Sequence, residues 1–296
     1  MLGGIEAGGT KFVCVVGAGP DDIVAEARFP TERPETTVPA AVGFFRQHVA
    51  SGGALSAVGI ATFGPAELRR SSPAYGRIAT TPKAGWTGAD LVGPVRDGLG
   101  VPVGFDTDVN GAALGEGRWG AARGLDSFVY LTVGTGIGGG AVVGGRLAHG
   151  LVHPEMGHVS VPRQPGDDFE GYCPFHGGDC LEGMASGSAM WARWGRPAQE
   201  LRGDELDGTL ELEAAYLAAG LRNLVYTLAP ERIVVGGGAS QLAGLLPRVR
   251  ARLVEALAGY PGLPEHAAES FVVPAELGQR AGPAGALVLA ELAAAG

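Results

Sequence analysis

Cysteine is scarce in this chain: Cys14, Cys173 and Cys180 are the only three in 296 residues. So few thiols exclude a disulfide framework, and a reducing cytoplasm is the simplest location. Basic charge is also short. Lys and Arg number 22 against 31 Asp and Glu, a formal net charge of −9. A nucleic-acid partner would want a basic face, so none is expected. No basic run suggests a membrane surface, and no apolar stretch approaches the length that spans a bilayer. The opening MLGGIEAGGT has neither the basic n-region nor the long apolar h-region of a secretory signal. Walker A sequences, C-x-x-C pairs and low-complexity tails are absent as well.

Glycine is what the chain has in excess, 52 residues with no collagen-like period. It clusters in short turns, where the backbone can approach a ligand or take positive φ. Leu2 to Ala7 reads as a strand, Gly8-Gly9 as a turn of the primed hairpin kind, and Lys11 to Val16 as a second strand. A similar unit recurs at Phe128 to Val133, with Gly134 to Gly140 as the turn and Ala141 onward returning. Two such hairpins, each opening half of a long chain, predict a duplicated fold with two lobes. Between and after them, helices are expected at Thr37 to Ala50, Gly88 to Leu99, Val109 to Arg118, Leu210 to Leu228, after Gly238, and at Pro283 to Ala294. Strands are expected at Ala57 to Thr62, Val101 to Phe105 and Arg232 to Val235. This alternation predicts α/β layers. Arg69 to Trp86 reads as a long loop able to cover a site.

Three glycine clusters are candidate phosphate cradles. Glu6-Ala7-Gly8-Gly9-Thr10-Lys11 puts an acid, bare backbone N–H groups, a hydroxyl and a base on one turn. Thr132, Gly134, Thr135 and Gly136 follow a strand and precede another strand, which disfavours a Rossmann loop. Gly236-Gly237-Gly238 follows a strand and is expected to open a helix, whose N-terminus suits an anion. Each also reads as an ordinary turn; together they favour a nucleotide.

Phe105-Asp106-Thr107-Asp108-Val109-Asn110 lies where a strand hands over to a helix. Ligands of α/β folds gather at such carboxyl ends. Asp108 can sit at the helix N-cap, or accept a proton from a hydroxyl during phosphoryl transfer. Asn110 offers a donor and an acceptor. His153, Glu155, His158 and Glu182 add polar groups, each also readable as a plain surface residue. Cys173, His176 and Cys180 stand at C-x2-H-x3-C spacing, and His158 can supply a fourth ligand. A Cys2His2 set suits closed, tetrahedral, structural zinc. Cys14, on a strand, reads as a buried apolar residue.

At this point the chain resembles the ROK sugar kinases, most closely their bacterial fructokinase branch. GGIEAGGTK, TFGP, SPAYG with TPKAGW, DTDVNGAALGE, TVGTGIGGG, HGLVHPEMGH, CPFHGGDCLEG and VVGGG carry the resemblance, from residue 3 to about 238. It implies a duplicated actin-like (ribonuclease H-like) ATPase fold of two lobes with a cleft between them. Residues 1–110 plus about 281–296 would form a small N-terminal lobe, and 111–280 a large lobe with a zinc-binding loop. The resemblance further implies ATP, magnesium and zinc, a hexose substrate and a homodimer. It makes Asp108 the catalytic base and Asn110, Glu155, His158 and Glu182 the sugar contacts. Gly8, Gly9, Thr10 and Lys11 match a first phosphate loop, and Thr132, Gly134, Thr135 and Gly136 a second. Gly236, Gly237 and Gly238 match the adenosine side; His158, Cys173, His176 and Cys180 match zinc ligands. Glu6, where many relatives carry Asp, is a candidate to hold magnesium through water. The implied activity is fructose phosphorylation, with glucose, mannose or an N-acetylhexosamine as alternatives. A sugar-responsive regulator is the non-enzyme alternative, and the acidic balance disagrees with DNA binding.

Overall fold

The computed structural model describes residues 1–296, the side chain of Ala239 excepted. The chain forms two compact units. One comprises Met1–Gly124, Leu147–Pro154 and Gln279–Gly296; the other comprises Leu125–Arg146 and Glu155–Gly278. Among the described residues, no helix is long and apolar enough to cross a membrane.

The first unit is built on strands β1 (Leu2–Ala7), β2 (Lys11–Gly19) and β3 (Asp22–Pro30), helix α1 (Pro34–Ala50), strand β4 (Ala57–Thr62), helix α2 (Val92–Leu99), strand β5 (Val103–Thr107) and helix α3 (Asp108–Trp119). Its sheet runs β3-β2-β1-β4-β5. The first three strands are antiparallel, while β1, β4 and β5 are parallel neighbours. β4 is buried along its whole length, as a central parallel strand must be. Phe12, Phe45, Ile60, Trp86 and Leu91 fill the core on one face. Pro34 sits in the first turn of α1 with Glu35 beside it, matching the fixed proline φ and the helix dipole.

The second unit holds strands β6 (Phe128–Val133), β7 (Ile137–Val143) and β8 (Arg146–Leu147), helices α4 (Leu181–Ala185), α5 (Gly187–Trp194) and α6 (Gly203–Leu228), strand β9 (Arg232–Gly236), helix α7 (Leu245–Leu257) and strand β10 (Val272–Pro274). Its sheet runs β10-β9-β6-β7-β8. An antiparallel hairpin flanked by parallel strands appears again, in the same order. The chain ends with α8 (Ala281–Ala294), which returns to the first unit. There α8 lies on β4 so closely that a Cβ at Gly59 would overlap the Ala286 carbonyl. It meets α3 equally closely, Gly285 against the Gly111 carbonyl. The duplicated α/β architecture is therefore as expected.

Local boundaries differ in places, each for a visible reason. The helix expected from Gly88 begins at Val92, because Gly88 takes φ +79° and Asp90 Oδ1 instead accepts from Gly93 N at 2.8 Å. The strand expected at 101–105 shifts to Val103–Thr107, following Pro102. After Gly238 only a 3-10 turn, Ala239–Gln241, forms, and α7 waits until Gly244 with φ +84° has turned the chain. β7 begins at Ile137 rather than Ala141. Cys14 is fully buried, and burial pushes its thiol far above the ordinary range. It is an apolar core residue, as expected.

Candidate active site

Because β1, β4 and β5 are parallel and in register, Glu6, Ala61 and Asp106 stand side by side. The segments that follow them leave the same edge of the sheet. Adjacent strands lie about 4.8 Å apart, so the turn after β1 and the start of α3 emerge about 10 Å from each other. The glycine turn and Asp108 thus share one edge of the first unit.

The turn itself is tightly tied. Gly8 N–H donates to the Lys11 carbonyl at 3.0 Å, so it is not the bare donor that the sequence suggests. Neither Gly8 nor Gly9 takes positive φ, so the expected primed turn is not used. The Gly8 carbonyl accepts from Thr31 Oγ1 (2.7 Å), and the Thr10 carbonyl accepts from Thr31 N (2.9 Å). The Gly9 carbonyl accepts from Lys83 Nζ at 2.6 Å. Every carbonyl from Gly8 to Lys11 is occupied, while Gly9, Thr10 and Lys11 remain exposed. Such a turn presents hydroxyl and cation to an anion, with its carbonyl oxygens turned to other partners. Beneath it, burial raises the Glu6 carboxyl above its usual range, and the charges of Lys11 and Arg28 oppose this.

At the end of β5, Thr107 and not Asp108 is the N-cap of α3, its Oγ1 accepting from Asn110 N at 3.2 Å. Asp108 is the first helical residue, half-buried, with Oδ1 accepting from Val109 N at 2.8 Å. The helix dipole favours its carboxylate there. Asp106 is buried and accepts three bonds: from Thr107 N (2.8 Å), Asn110 Nδ2 (2.6 Å) and His149 Nε2 (2.9 Å). The Asp106 bond raises the pKa of His149, and partial burial opposes it. Asn110 is fully buried, with Nδ2 on Asp106 and no hydrogen-bond partner for Oδ1. His149 lies in the 147–154 segment, which belongs to this unit and is also held by His153 Nε2, accepting from Ala66 N at 3.3 Å.

In the second unit the other glycine turn faces helix α5. The Gly134 and Thr135 carbonyls accept from Gly187 N (2.7 Å) and Ser188 N (3.2 Å), the first donors of that helix. Gly134, Thr135, Gly187, Ser188, Trp191 and Gly238 line part of a cavity of about 460 Å³. The second and third glycine clusters therefore meet in one pocket, of a size that suits a small ligand. Thr132 pairs with Gly138 and Gly236 in the sheet behind it. Gly237 takes φ +86° against the Val133 backbone, a conformation that calls for glycine.

Four donors converge beside that pocket's elements. The ligand atoms of His158, Cys173, His176 and Cys180 all lie within 4.8 Å of one another. Cys173 Sγ is 3.9 Å from His158 Nδ1 and 3.7 Å from His176 Nδ1; Cys180 Sγ is 3.8 Å from His158 Nδ1. His158 turns its other nitrogen, Nε2, to Glu182 Oε1 at 4.0 Å. Glu182 Oε2 accepts from Ile137 N at 2.9 Å, at the exit of the glycine turn. Glu155 is exposed, and its carbonyl accepts from His158 N at 3.0 Å.

Sequence reasoning gave no role to Asp106, His149, Lys83 or Trp191. Asp106 and His149 lie inside motifs that carry the resemblance, but no spacing rule pairs a strand end with a residue 43 positions on. Lys83 lies in TPKAGW, within a stretch that reads only as loop.

A family model described as "ROK family" matches residues 2–293. A fructokinase from Zymomonas mobilis is 44% identical over 292 residues, covering 98% of this chain and 96% of that protein. The crystal structure of a ROK hexokinase from Thermus thermophilus is 30% identical, with a TM-score of 0.80 and 98% of each chain covered. A ROK family glucokinase from Streptomyces griseus, solved with glucose and AMPPNP, is 26% identical, with a TM-score of 0.73 over 98% of this chain and 99% of that one.

Proposed function

The chain belongs to the ROK family, and within it we propose the transfer of the terminal phosphoryl group of ATP to the 6-hydroxyl of D-fructose, with Asp108 as general base. The protein is an ATP-dependent sugar kinase. What supports the site assignment is the shared sheet edge: parallel, in-register β1, β4 and β5 bring the glycine turn and the start of α3 out on one edge, and two strand spacings put them about 10 Å apart. That spacing leaves room for a phosphoryl group and an alcohol between them.

Asp108 takes the proton of the attacking hydroxyl. The hydroxyl oxygen bonds to the terminal phosphorus, the bond to the bridging oxygen breaks, and ADP leaves. A loose transition state asks mainly for position and charge, so a carboxylate of ordinary basicity suffices. Gly9, Thr10 and Lys11 hold the phosphates, with the Lys11 ammonium neutralising charge, while Gly8 closes the turn through its bond to the Lys11 carbonyl. The pocket lined by Gly134, Thr135 and Gly238, with Trp191 as a flat apolar wall, suits the adenosine. Asn110, Glu155, His158 and Glu182 are each read as a contact to a sugar hydroxyl. The Glu182 side chain has Oε2 on Ile137 N and turns Oε1 toward His158 Nε2 at 4.0 Å, so a sugar hydroxyl would meet these two side chains together.

The four-donor cluster fits zinc. Tetrahedral Zn–S and Zn–N bonds of about 2.3 and 2.0 Å set S···N separations of about 3.6 Å; Cys173 to His158 and His176, and Cys180 to His158, are 3.7–3.9 Å apart. Bound there, zinc would tie the loop carrying His158 to the start of α4, where Glu182 sits. Glu6, desolvated at the base of the phosphate turn, fits a role in holding magnesium through water. Magnesium supplies charge neutralisation to the phosphates when bound.

The test is ADP release, coupled to a dehydrogenase readout, over a panel of hexoses. Fructose is expected to give the highest kcat/KM. Turnover only with glucose, mannose or an N-acetylhexosamine would remove fructose and leave the kinase.

A further inference from the structure

We propose that Lys83 is a catalytic residue, its ammonium group binding the terminal phosphoryl group of a nucleoside triphosphate held at the Gly8–Lys11 turn. This rests on the kinase reading above and adds to it a second cation, supplied by the long loop between β4 and α2.

The position of Lys83 is fixed by its neighbours. Trp86, three residues later, is fully buried. Its ring packs on Phe12 at 5.6 Å and on Phe63 at 5.3 Å between centroids. Its Nε1 donates to the Glu32 carbonyl at 2.8 Å, and its N–H donates to the Lys83 carbonyl at 3.2 Å. Phe12 directly follows Lys11, so the anchor of the loop and the phosphate turn share one piece of core. A lysine side chain loses about 2 kcal/mol of rotamer freedom when held. Here one is held across 74 residues of sequence, onto a turn carbonyl.

That carbonyl does not by itself explain the lysine. Gly9 is exposed, and nothing lies within 4 Å of where its Cβ would stand. Water could satisfy the oxygen at no cost in side-chain order. An ammonium group has three donors, and the Gly9 carbonyl takes one of them. The other two are available to phosphoryl oxygens arriving at the turn. The geometry puts a full positive charge at the tip, opposite the exposed Lys11 at its base. Charge that builds on the transferred group would then lie between two cations. The contribution of Lys83 is electrostatic.

Two arms test this, one with turnover and one without. In steady-state kinetics with MgATP and fructose, Lys83→Met is expected to lower kcat roughly 10²-fold. The fructose KM should stay within about twofold, and Lys83→Arg should recover to within about tenfold of the parent. In calorimetry, Lys83→Met should weaken Mg-AMPPNP while leaving MgADP unchanged, because ADP lacks the group that Lys83 contacts. The proposal is overturned if Lys83→Met keeps kcat within threefold. It is equally overturned if AMPPNP and ADP weaken together with a fall in Tm, which would make Lys83 only a staple of the turn. If the parent phosphorylates no sugar, the kinase reading falls, and the AMPPNP-to-ADP comparison still decides the role of Lys83.

Discussion

Replacing Asp106 by asparagine should destabilise the first unit, and the loss should depend on pH. The buried carboxylate accepts from Thr107 N, Asn110 Nδ2 and His149 Nε2 at 2.8, 2.6 and 2.9 Å. Thr107 N and Asn110 Nδ2 both bond Asp106 Oδ1, and an asparagine oxygen in that place keeps both. Its amide nitrogen then stands where Oδ2 was and faces the His149 imidazolium Nε2, donor against donor. A hydrogen bond to a charged group contributes about 1.5–3 kcal/mol, and a buried donor left unpaired costs about 1–3 kcal/mol. The expected sum is about 3 kcal/mol, or a Tm lowered by about 6–12 °C for a unit of this size.

The sign of the pH dependence follows from His149. Its pKa in the folded protein is raised, chiefly by the bond to Asp106. A raised value means that this stabilisation is fully present below the unfolded value of about 6.5 and is lost as pH rises through the folded value. The side chain is 39% exposed, so solvent screens the pair and weakens it. The Tm gap between parent and Asp106→Asn should be widest near pH 6 and narrower at pH 9. It should not vanish there, because neutral imidazole still donates through Nε2. Scanning calorimetry at the two pH values reads the gap. Equal gaps, or a gap below 2 °C at both, would refute the imidazolium–carboxylate pairing.

Asp108→Asn should lower kcat by at least about 10²-fold with the fructose dissociation constant within about threefold; retention of activity within tenfold would rule out the general base. Protein purified without chelator should carry about one zinc per chain by metal analysis, and Cys180→Ser should lose both the zinc and thermal stability. Metal-free protein whose Tm ignores chelators would remove that site.

Strands at 2–7, 57–62 and 128–133 are legible to the residue, because each is an apolar run ended by glycine or a small polar residue. The duplication is legible from its two glycine hairpins. Three members of the four-donor cluster are legible from spacing, since Cys173, His176 and Cys180 fall within eight residues; His158 joins them only through the fold. β3 is not: it alternates half-exposed and exposed residues as an outer strand, with no apolar run to reveal it. α4 and α5 are also hidden, being short and initiated by side-chain caps, Cys180 and Ser186, rather than by periodicity. The pairing of Asp106 with His149 and of Lys83 with Gly9 depends on chain crossings that no local pattern encodes. These unread contacts lie at the proposed chemistry, where tertiary structure and not propensity sets the side chains.

The two sheets repeat one strand order, yet their glycine turns are used in opposite ways. In the first unit the turn's carbonyls are held by Thr31, Lys83 and Gly8, and the ionic groups around it are Lys11, Lys83, and farther along the edge Asp108 and His149. In the second unit the Gly134 and Thr135 carbonyls are occupied in starting α5, and the cavity beside them is lined by Tyr172, Met190, Trp191, Pro197, Gln199 and small residues. No charged side chain is among the described residues lining that cavity. One copy of the hairpin is therefore suited to holding and moving charge, the other to recognising a flat, neutral surface.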